Sequence, residues 1–368
     1  MKFEFQIFTE ITEELQQEWI NLEKKSDCFF FQNLSWINNC KKNYLEKNSS
    51  LEMKIILIKS NKESICLLPF QIVKKFGLRI LVWAFQDYSD YNVPLTNKNF
   101  KISKDEFLNL WKKILKEISN IDFVFLNKQK LFAKKITNPF VEYLDNKINS
   151  NIYKISLNKP WEEYINFSIN KKLVKDILRQ KKNLEKMGNL KFVLIEDEKK
   201  KNEIIEFLIS NKIKSLTKKS TNINSPMLKD AFYKGLEGEK HSNFQTHFSC
   251  LMLNDKILAA HWGIVDKGTF FYLLPANNNE DFFKKYAPGK ILLYLLIKNC
   301  FENKLDFFDF GYGEENYKTR WSDYNDKLFV YFKFIKFKGG LYSFYLILKN
   351  NLKKINFIKN IYYKLIKN

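Results

Sequence analysis

Histidine is nearly missing from this chain: three in 368 residues, at His241, His247 and His261. No H-x-x-x-H spacing and no His/carboxylate cluster marks a metal, so metal-assisted chemistry is not expected. The five cysteines (Cys28, Cys40, Cys66, Cys250 and Cys300) are scattered, with no C-x-x-C pair. That spacing excludes a disulfide framework and a zinc site, and each reads as a small buried hydrophobe in a reducing, cytoplasmic setting. No apolar run approaches the ~18–20 residues that cross a bilayer. The best candidate, Ile291 to Ile297, is far too short. The start, MKFEFQIFTEITEEL, carries acidic residues early and lacks a long apolar core, so it is not read as a signal peptide. A Walker loop and a serine nucleophile elbow are also missing.

Arginine is scarce where positive charge is abundant. The chain has 62 Lys and Arg against 41 Asp and Glu, a formal charge of +21, yet only Arg79, Arg179 and Arg320 are arginine. Glycine and proline are few as well, at 11 and 7. The excess of Lys, Asn and Ile is the pattern of an AT-rich coding bias spread over a surface. A functional basic surface, facing nucleic acid, an anionic membrane or an anionic substrate, is the competing explanation. Against that background the three arginines stand out, because a guanidinium offers a planar fork that an ammonium does not.

What is present is a globular chain, 45% apolar, long enough for one large or two ordinary domains. Residues 1–150 alternate helices and strands. Thr12 to Lys25 puts Leu15, Trp19 and Leu22 on one face, and Ser35 is positioned to cap the next helix. Met53–Ile58 and Ser64–Val73 read as strands joined at Asn61-Lys62, followed by a strand at Arg79–Ala84, a helix at Phe107–Ile118 and a strand at Phe123–Leu126. Asp145 to Tyr153 (DNKINSNIY) is polar and Asn-rich, and reads as a linker. A similar series follows over 151–338: helices at Pro160–Ile169, Lys171–Met187 and Lys199–Thr217, a hairpin across Asn254-Asp255, a third strand from Thr269, a helix over Gly289–Phe301, and strands at Phe307–Gly311 and Leu328–Phe337. The repeated order suggests a duplicated α/β (α+β layered) domain. Residues 339–368 form a basic, Tyr- and Ile-rich amphipathic tail, expected either to pack on the body or to lie on an anionic membrane surface.

The densest stretch is Asp306 to Trp321, DFFDFGYGEENYKTRW. A short apolar strand carries Asp309 among aromatics. Gly311 and Gly313 permit a sharp turn or a close approach to a ligand. Glu314 and Glu315 are expected in the first turn of a helix, with Tyr317, Lys318 and Arg320 further along it. Asp309 is either a base raised by burial or the cap of the glycine turn. Glu314 and Glu315 are either bases or helix-start decoration. The hydroxyl of Tyr317 reads as an acid, a stacking surface or core. Lys318 is either an anion contact or an exposed helix lysine.

This stretch, as Asp309-Phe310-Gly311, Gly313, Glu314, Tyr317 and Lys318, resembles the signature of the CelD-like branch of the GNAT acyltransferases, relatives of the FemAB-type transferases. The likeness extends to the hairpin His247–Ile264, to Ala287-Pro288-Gly289-Lys290 before a long helix, and to the basic helix Lys171–Gly188 introduced by Trp161 and Tyr164. In the first half, Asp87–Pro94 (DYSDYNVP) is similar to a motif of the family. Tyr312 and Asn316 stand where the family usually has Arg and often Pro.

The resemblance implies tandem GNAT-like domains, 1–150 degenerate and 151–338 catalytic, each a mixed, mostly antiparallel sheet flanked by helices, followed by the helical tail. It implies an N-acyltransferase that takes acetyl-CoA or another acyl-CoA as co-substrate and needs no metal. Pro288, Gly289, Lys290 and Lys285 would cradle the pyrophosphate. Asp309, Glu314, Tyr317 and Lys318 would carry the chemistry. His261, Trp262, Gly311, Gly313, Arg320 and Arg179 would line the substrate site, with core packing the alternative for His261. The acceptor implied is a small-molecule amine of an amino sugar or cell-envelope precursor, anionic or nucleotide-linked. The protein is expected in the cytoplasm, with the tail offering peripheral contact at the inner membrane face. Two rivals remain: a FemAB-like enzyme using aminoacyl-tRNA, the one setting in which nucleic acid is a partner, and a non-catalytic envelope-associated binding protein.

Overall fold

The computed structural model describes residues 3–46, 48, 50–218, 228–237 and 243–337. The basic tail over 339–368 lies outside the described residues. The first half supplies β1 (Phe3–Phe8), β2 (Glu52–Ser60), β3 (Glu63–Lys75), β4 (Leu78–Trp83), the two-residue β5 (Leu95–Thr96) and β6 (Phe123–Gln129). A small hairpin, β7 (Phe132–Ala133) with β8 (Ile136–Thr137), stands apart. Then come β9 (Asn146–Ser156), β10 (Leu190–Leu194), β11 (Gln245–Leu253), β12 (Lys256–Asp266), β13 (Thr269–Asn277), β14 (Phe307–Tyr312) and β15 (Tyr324–Phe334).

Thirteen of these strands join in one mixed sheet, ordered β1-β2-β3-β4-β6-β15-β9-β14-β13-β12-β11-β10, with β5 on β3. Among the described residues its parallel pairs are β4 with β6 and β13 with β14, each made by a crossover helix, Lys104–Ile118 or Pro288–Glu302. The halves therefore repeat one plan: antiparallel strands, a crossover helix and a parallel strand. They also exchange a strand. β9, which spans the boundary between the halves, pairs with β14 of the second, and β15, the last strand of the second, pairs with β6 of the first. β9 and β15 then pair with each other over 324–331, so the sheet runs unbroken across the 150/151 boundary.

The expected linker at 145–153 is therefore a central strand. Its asparagines have low strand propensity. Here they are hydrogen-bonded: Asn146 Nδ2 donates to the carbonyls of Phe140 and Leu144 at 2.6 and 2.9 Å. Ile152 and Ile155 are fully buried on opposite faces. Both sides of the strand find partners, which offsets the poor local preference.

Local signals elsewhere act as read. Thr12 caps the helix Glu13–Lys24, and Ser103 forms a capping box with Glu106 on Lys104–Ile118. Asn61 and Lys62 turn the first hairpin with positive φ. The cap of the second helix, Leu34–Leu45, is Asn33, and Ser35 lies inside it. The helix Asp230–Glu237 and β1 had no reading in advance. All five cysteines are buried, and burial pushes the thiols of Cys28 and Cys250 up to about 12 and about 11, far from nucleophilic thiolates. Among the described residues no helix is long and apolar enough to cross a membrane.

One face of the sheet is covered by helices from both halves around a shared core holding Trp19, Trp36, Tyr233 and Trp262. Glu23 sits in this joint. Its Oε1 accepts from the Leu34 N–H at 2.6 Å and its Oε2 from Asn243 Nδ2 at 3.0 Å. Burial raises its carboxyl from the ordinary 4.5 to about 7. A carboxyl raised on folding favours the folded state at low pH, and that advantage is lost as pH rises through about 7. From the two values, Glu23 withdraws roughly 3 kcal/mol between pH 4.5 and 7. Glu23→Gln, which keeps an acceptor for Leu34 and lets Asn243 flip, is expected to remove that dependence. Urea midpoints of the two proteins at pH 4.5 and 8 test this, and parallel pH curves would refute it.

Candidate active site

β13 and β14 pair at only three positions, Thr269–Phe307, Phe270–Phe308 and Phe271–Asp309. Beyond them β13 stays on β12 as far as Asn277, while β14 turns toward Tyr312. Two parallel strands that part leave a wedge with unpaired backbone edges, a natural bed for an extended ligand. Tyr272 and Phe310 face each other there at 5.9 Å, and Tyr317 packs edge-on against Phe310.

Gly311 and Gly313 form the turn at the end of β14, with φ of +68° and +117°. A Cβ at Gly311 would come within 2.3 Å of Asp90 Oδ2. Asp90 and Tyr91 belong to the DYSDYNVP motif of the first half, which thus reaches onto β14. Asp90 Oδ2 accepts from the Tyr312 N–H at 3.2 Å. Burial raises its carboxyl above the usual range, while Lys128 and Lys318 pull it back. Tyr91 donates its hydroxyl to Asp309 Oδ1 at 2.5 Å.

Asp309 is fully buried. Its Oδ1 also accepts from the Gly311 N–H at 2.9 Å, and Lys154 of β9 pairs with its Oδ2 at 2.8 Å. Of the two readings in the sequence, the cap of the glycine turn is the one this geometry matches. The Lys154 ammonium is pulled down by burial but raised overall by Asp309. Beside it, Lys130 pairs with Asp326 at 2.7 Å, and burial lowers its ammonium to about 8. None of Asp90, Tyr91, Lys130, Lys154 or Asp326 was singled out from the sequence. The motif around Asp90 was the one signal pointing at any of them.

The expected helix over 314–320 is shorter, Lys318–Trp321, because the residues before it form a glycine-led loop. Lys318 turns inward to close that loop and is buried. Its Nζ donates to the Tyr312 carbonyl at 2.9 Å and pairs with Glu315 at 2.8 Å. Glu314 accepts from the Asn151 N–H and side chain at 3.0 and 3.2 Å. Tyr317 remains partly exposed at the wedge, and burial followed by Glu315 pushes its hydroxyl well above its ordinary value.

A groove of about 880 Å³ borders this turn, between the basic helix Lys171–Glu185, the start of the helix Pro288–Glu302 and the helix Lys318–Trp321. It gathers Arg179, Lys290 and Arg320, joined by Lys172 and Lys175, against the single carboxylate of Asp176. Two of the chain's three arginines therefore converge on one surface. Pro288 occupies the first turn of its helix behind Ala287, whose φ is +48°. Lys285 lies outside the groove lining, its ammonium over the rings of Phe282 and Tyr286.

Trp262 is brought to neither wedge nor groove, and His261 reaches the wedge only from behind, through the ring of Tyr272. They are neighbours on β12 and point to opposite faces. His261 stacks on Tyr272 at 4.2 Å, and burial holds its imidazole neutral. Trp262 packs against Tyr233 in the shared core. Among the described residues no group of three or more His, Cys, Asp or Glu could hold a metal.

A wedge between parallel strands, a basic groove at a helix start and a glycine turn stitched by carboxylates together make up the candidate site. The family profile described as "Acetyltransferase (GNAT) domain" matches residues 171–319, so that stretch of the second half is similar to a GNAT acetyltransferase domain. No curated protein matches it by sequence. Among solved structures it is similar to FemX, at 12% identity over 90% of this chain and 97% of that one, with a TM-score of 0.59. A conserved protein of unknown function from Bacteroides thetaiotaomicron VPI-5482 is similar at 11% identity, over 89% and 99%, with a TM-score of 0.53. At such identities the likeness is one of fold.

Proposed function

We propose that the protein transfers an acyl group from an acyl-CoA to the amine of an anionic amino sugar or cell-envelope precursor, in the cytoplasm. The observation that carries this is the meeting of Arg179, Lys290 and Arg320 in one groove beside the parted strands. The groove holds the donor's phosphates, and the wedge takes the thioester arm. Asp90, half-buried at the wedge mouth with its carboxyl raised by burial, takes the proton from the acceptor ammonium. The freed nitrogen attacks the thioester carbonyl, the C–N bond forms and the C–S bond breaks. Tyr317, which keeps its proton at neutral pH, supplies it to the leaving thiolate and regains one from the attacking nitrogen, which sheds its second proton as the neutral amide forms.

Binding of acetyl-CoA and longer acyl-CoAs by calorimetry tests this. Arg179→Glu and Arg320→Glu are each expected to weaken binding by about tenfold or more, the scale of one charge-assisted hydrogen bond turned repulsive. These variants are preferable to Gly289→Asp, because a Cβ at Gly289 would meet Asn277 Oδ1 at 2.1 Å and disturb the loop itself. The groove is wide and basic, which also suits an aminoacyl-tRNA donor. Failure of every CoA ester to bind, with salt-sensitive binding of aminoacyl-tRNA, would replace the first reading with that one.

A further inference from the structure

The sheet face that holds the shared core runs on beyond it. Leu67 belongs to that core, and Val73, further along β3, points the same way. There the strand registers set four apolar side chains in one row, Val73, Ile80, Phe123 and Phe334, across β3, β4, β6 and β15. Val82, Phe125 and Phe332 lie beside this row on the same strands.

The centre of the row is out of water. Ile80 and Val82 are each 3% exposed, and Phe123 is fully buried. Yet among the described residues this cluster contains strand side chains alone. On the opposite face the same strands are roofed by the helix Lys104–Ile118, through Phe107, Leu110, Trp111 and Ile114. Neighbouring strands shield a side chain from the flanks but not from above, so a second layer must lie over the row.

Of the longer stretches outside the described residues, 219–227 (KSTNINSPM) and 238–242 (GEKHS) are polar. They flank the helix Asp230–Glu237, which packs on the helix Leu34–Leu45. The segment after Phe337 differs in chemistry. Positions 341–348 read LYSFYLIL, apolar everywhere but at Ser343. It also begins in the right place. The N–H groups of Ile335 and Lys336 both donate to the Asp122 carbonyl, at 2.9 and 3.2 Å, so the chain leaves β15 next to Phe123. Gly339 and Gly340 then free the backbone to double back. Eight residues cover ~12 Å coiled as a helix and ~27 Å extended, against ~14 Å across four strands. Segment and row therefore match in length as well as in polarity.

We propose that residues 341–348 seat on the face formed by β3, β4, β6 and β15 and close it. The end of the second half thereby clasps the first. Of the two settings read from the sequence for the tail, packing on the body takes this part of it. The assignment does not depend on the identity of the acyl donor.

Thiol reactivity on the full chain tests it. The five native cysteines are buried, so single cysteines placed in turn from Leu341→Cys to Leu348→Cys report with little background. At inward-facing positions, labelling by an aqueous maleimide should be about 100-fold or more slower than in the urea-unfolded protein, because only local opening exposes them. Phe125→Glu, which puts a charge on the half-buried part of the face, should return those thiols to nearly the unfolded rate. Should Phe125→Glu not fold, Phe334→Glu, at a ring already 60% exposed, takes its place. Thiols that react freely at all eight positions in buffer, and are shielded only by phosphatidylglycerol vesicles, would overturn the proposal in favour of a membrane seat. Shielding that grows with protein concentration, as a second copy would cause, or that the glutamate variants leave intact, would overturn it as well.

Discussion

Asp309→Ala is expected to cost about 3–5 kcal/mol, the scale of stranding one member of a buried ion pair. The reason is what it leaves behind. Lys154, whose side chain is 11% exposed, would keep its charge with its partner gone, and the Tyr91 hydroxyl and the Gly311 N–H would each lose their acceptor. Against a typical total stability of about 5–15 kcal/mol, that loss brings the protein near unfolding at physiological temperature. The urea midpoint measures it. Pairing the change with Lys154→Met should recover much of the loss, since two apolar groups replace a matched pair more cheaply than one charge stands alone. A single variant that shifts stability by less than about 1 kcal/mol would show that the network does not hold the halves together.

Asp90→Asn should act on rate instead. Asn keeps an acceptor for the Tyr312 N–H, so the fold should stand, but it cannot take a proton. Loss of a positioned base lowers kcat by about 10²–10⁴. For the unaltered protein, kcat/KM should rise with pH through an apparent pKa above the ordinary 3.8 of an aspartate, because burial raises this carboxyl. The variant should lack that limb. A variant with full activity, or with the same pH limb, would remove Asp90 from the chemistry.

The sequence made some of this legible and hid the rest for identifiable reasons. Helices with a strong apolar stripe and good caps, such as Glu13–Lys24 and Lys104–Ile118, could be placed within a few residues. Hairpins marked by Asn61-Lys62 and Asn254-Asp255 were equally plain, and Asn61, Lys62 and Asn254 adopt the positive φ such turns need. The β9 strand was invisible because its stability comes from partners 151 to 185 residues further on, at β14 and β15. The groove was half visible: arginine scarcity drew attention to Arg179 and Arg320, and only the fold set them side by side. His261 and Trp262 were expected at the substrate site through the resemblance, but adjacent strand residues face opposite ways, and Trp262 lies in the shared core. Lys318 looked available in the sequence and is spent inside its own loop.

The exchange of β9 and β15 also bears on how the protein is born. β6 leaves the ribosome roughly 195 residues before β15, its neighbour in the finished sheet. At ordinary synthesis speeds of about 5–20 residues per second, the first half waits on the order of 10–40 seconds with an open strand edge. During that interval the edge is a template for pairing with another nascent chain. Cells making this protein therefore face a hazard set by translation rate, and slower synthesis, which helps many proteins fold, would here lengthen the exposure.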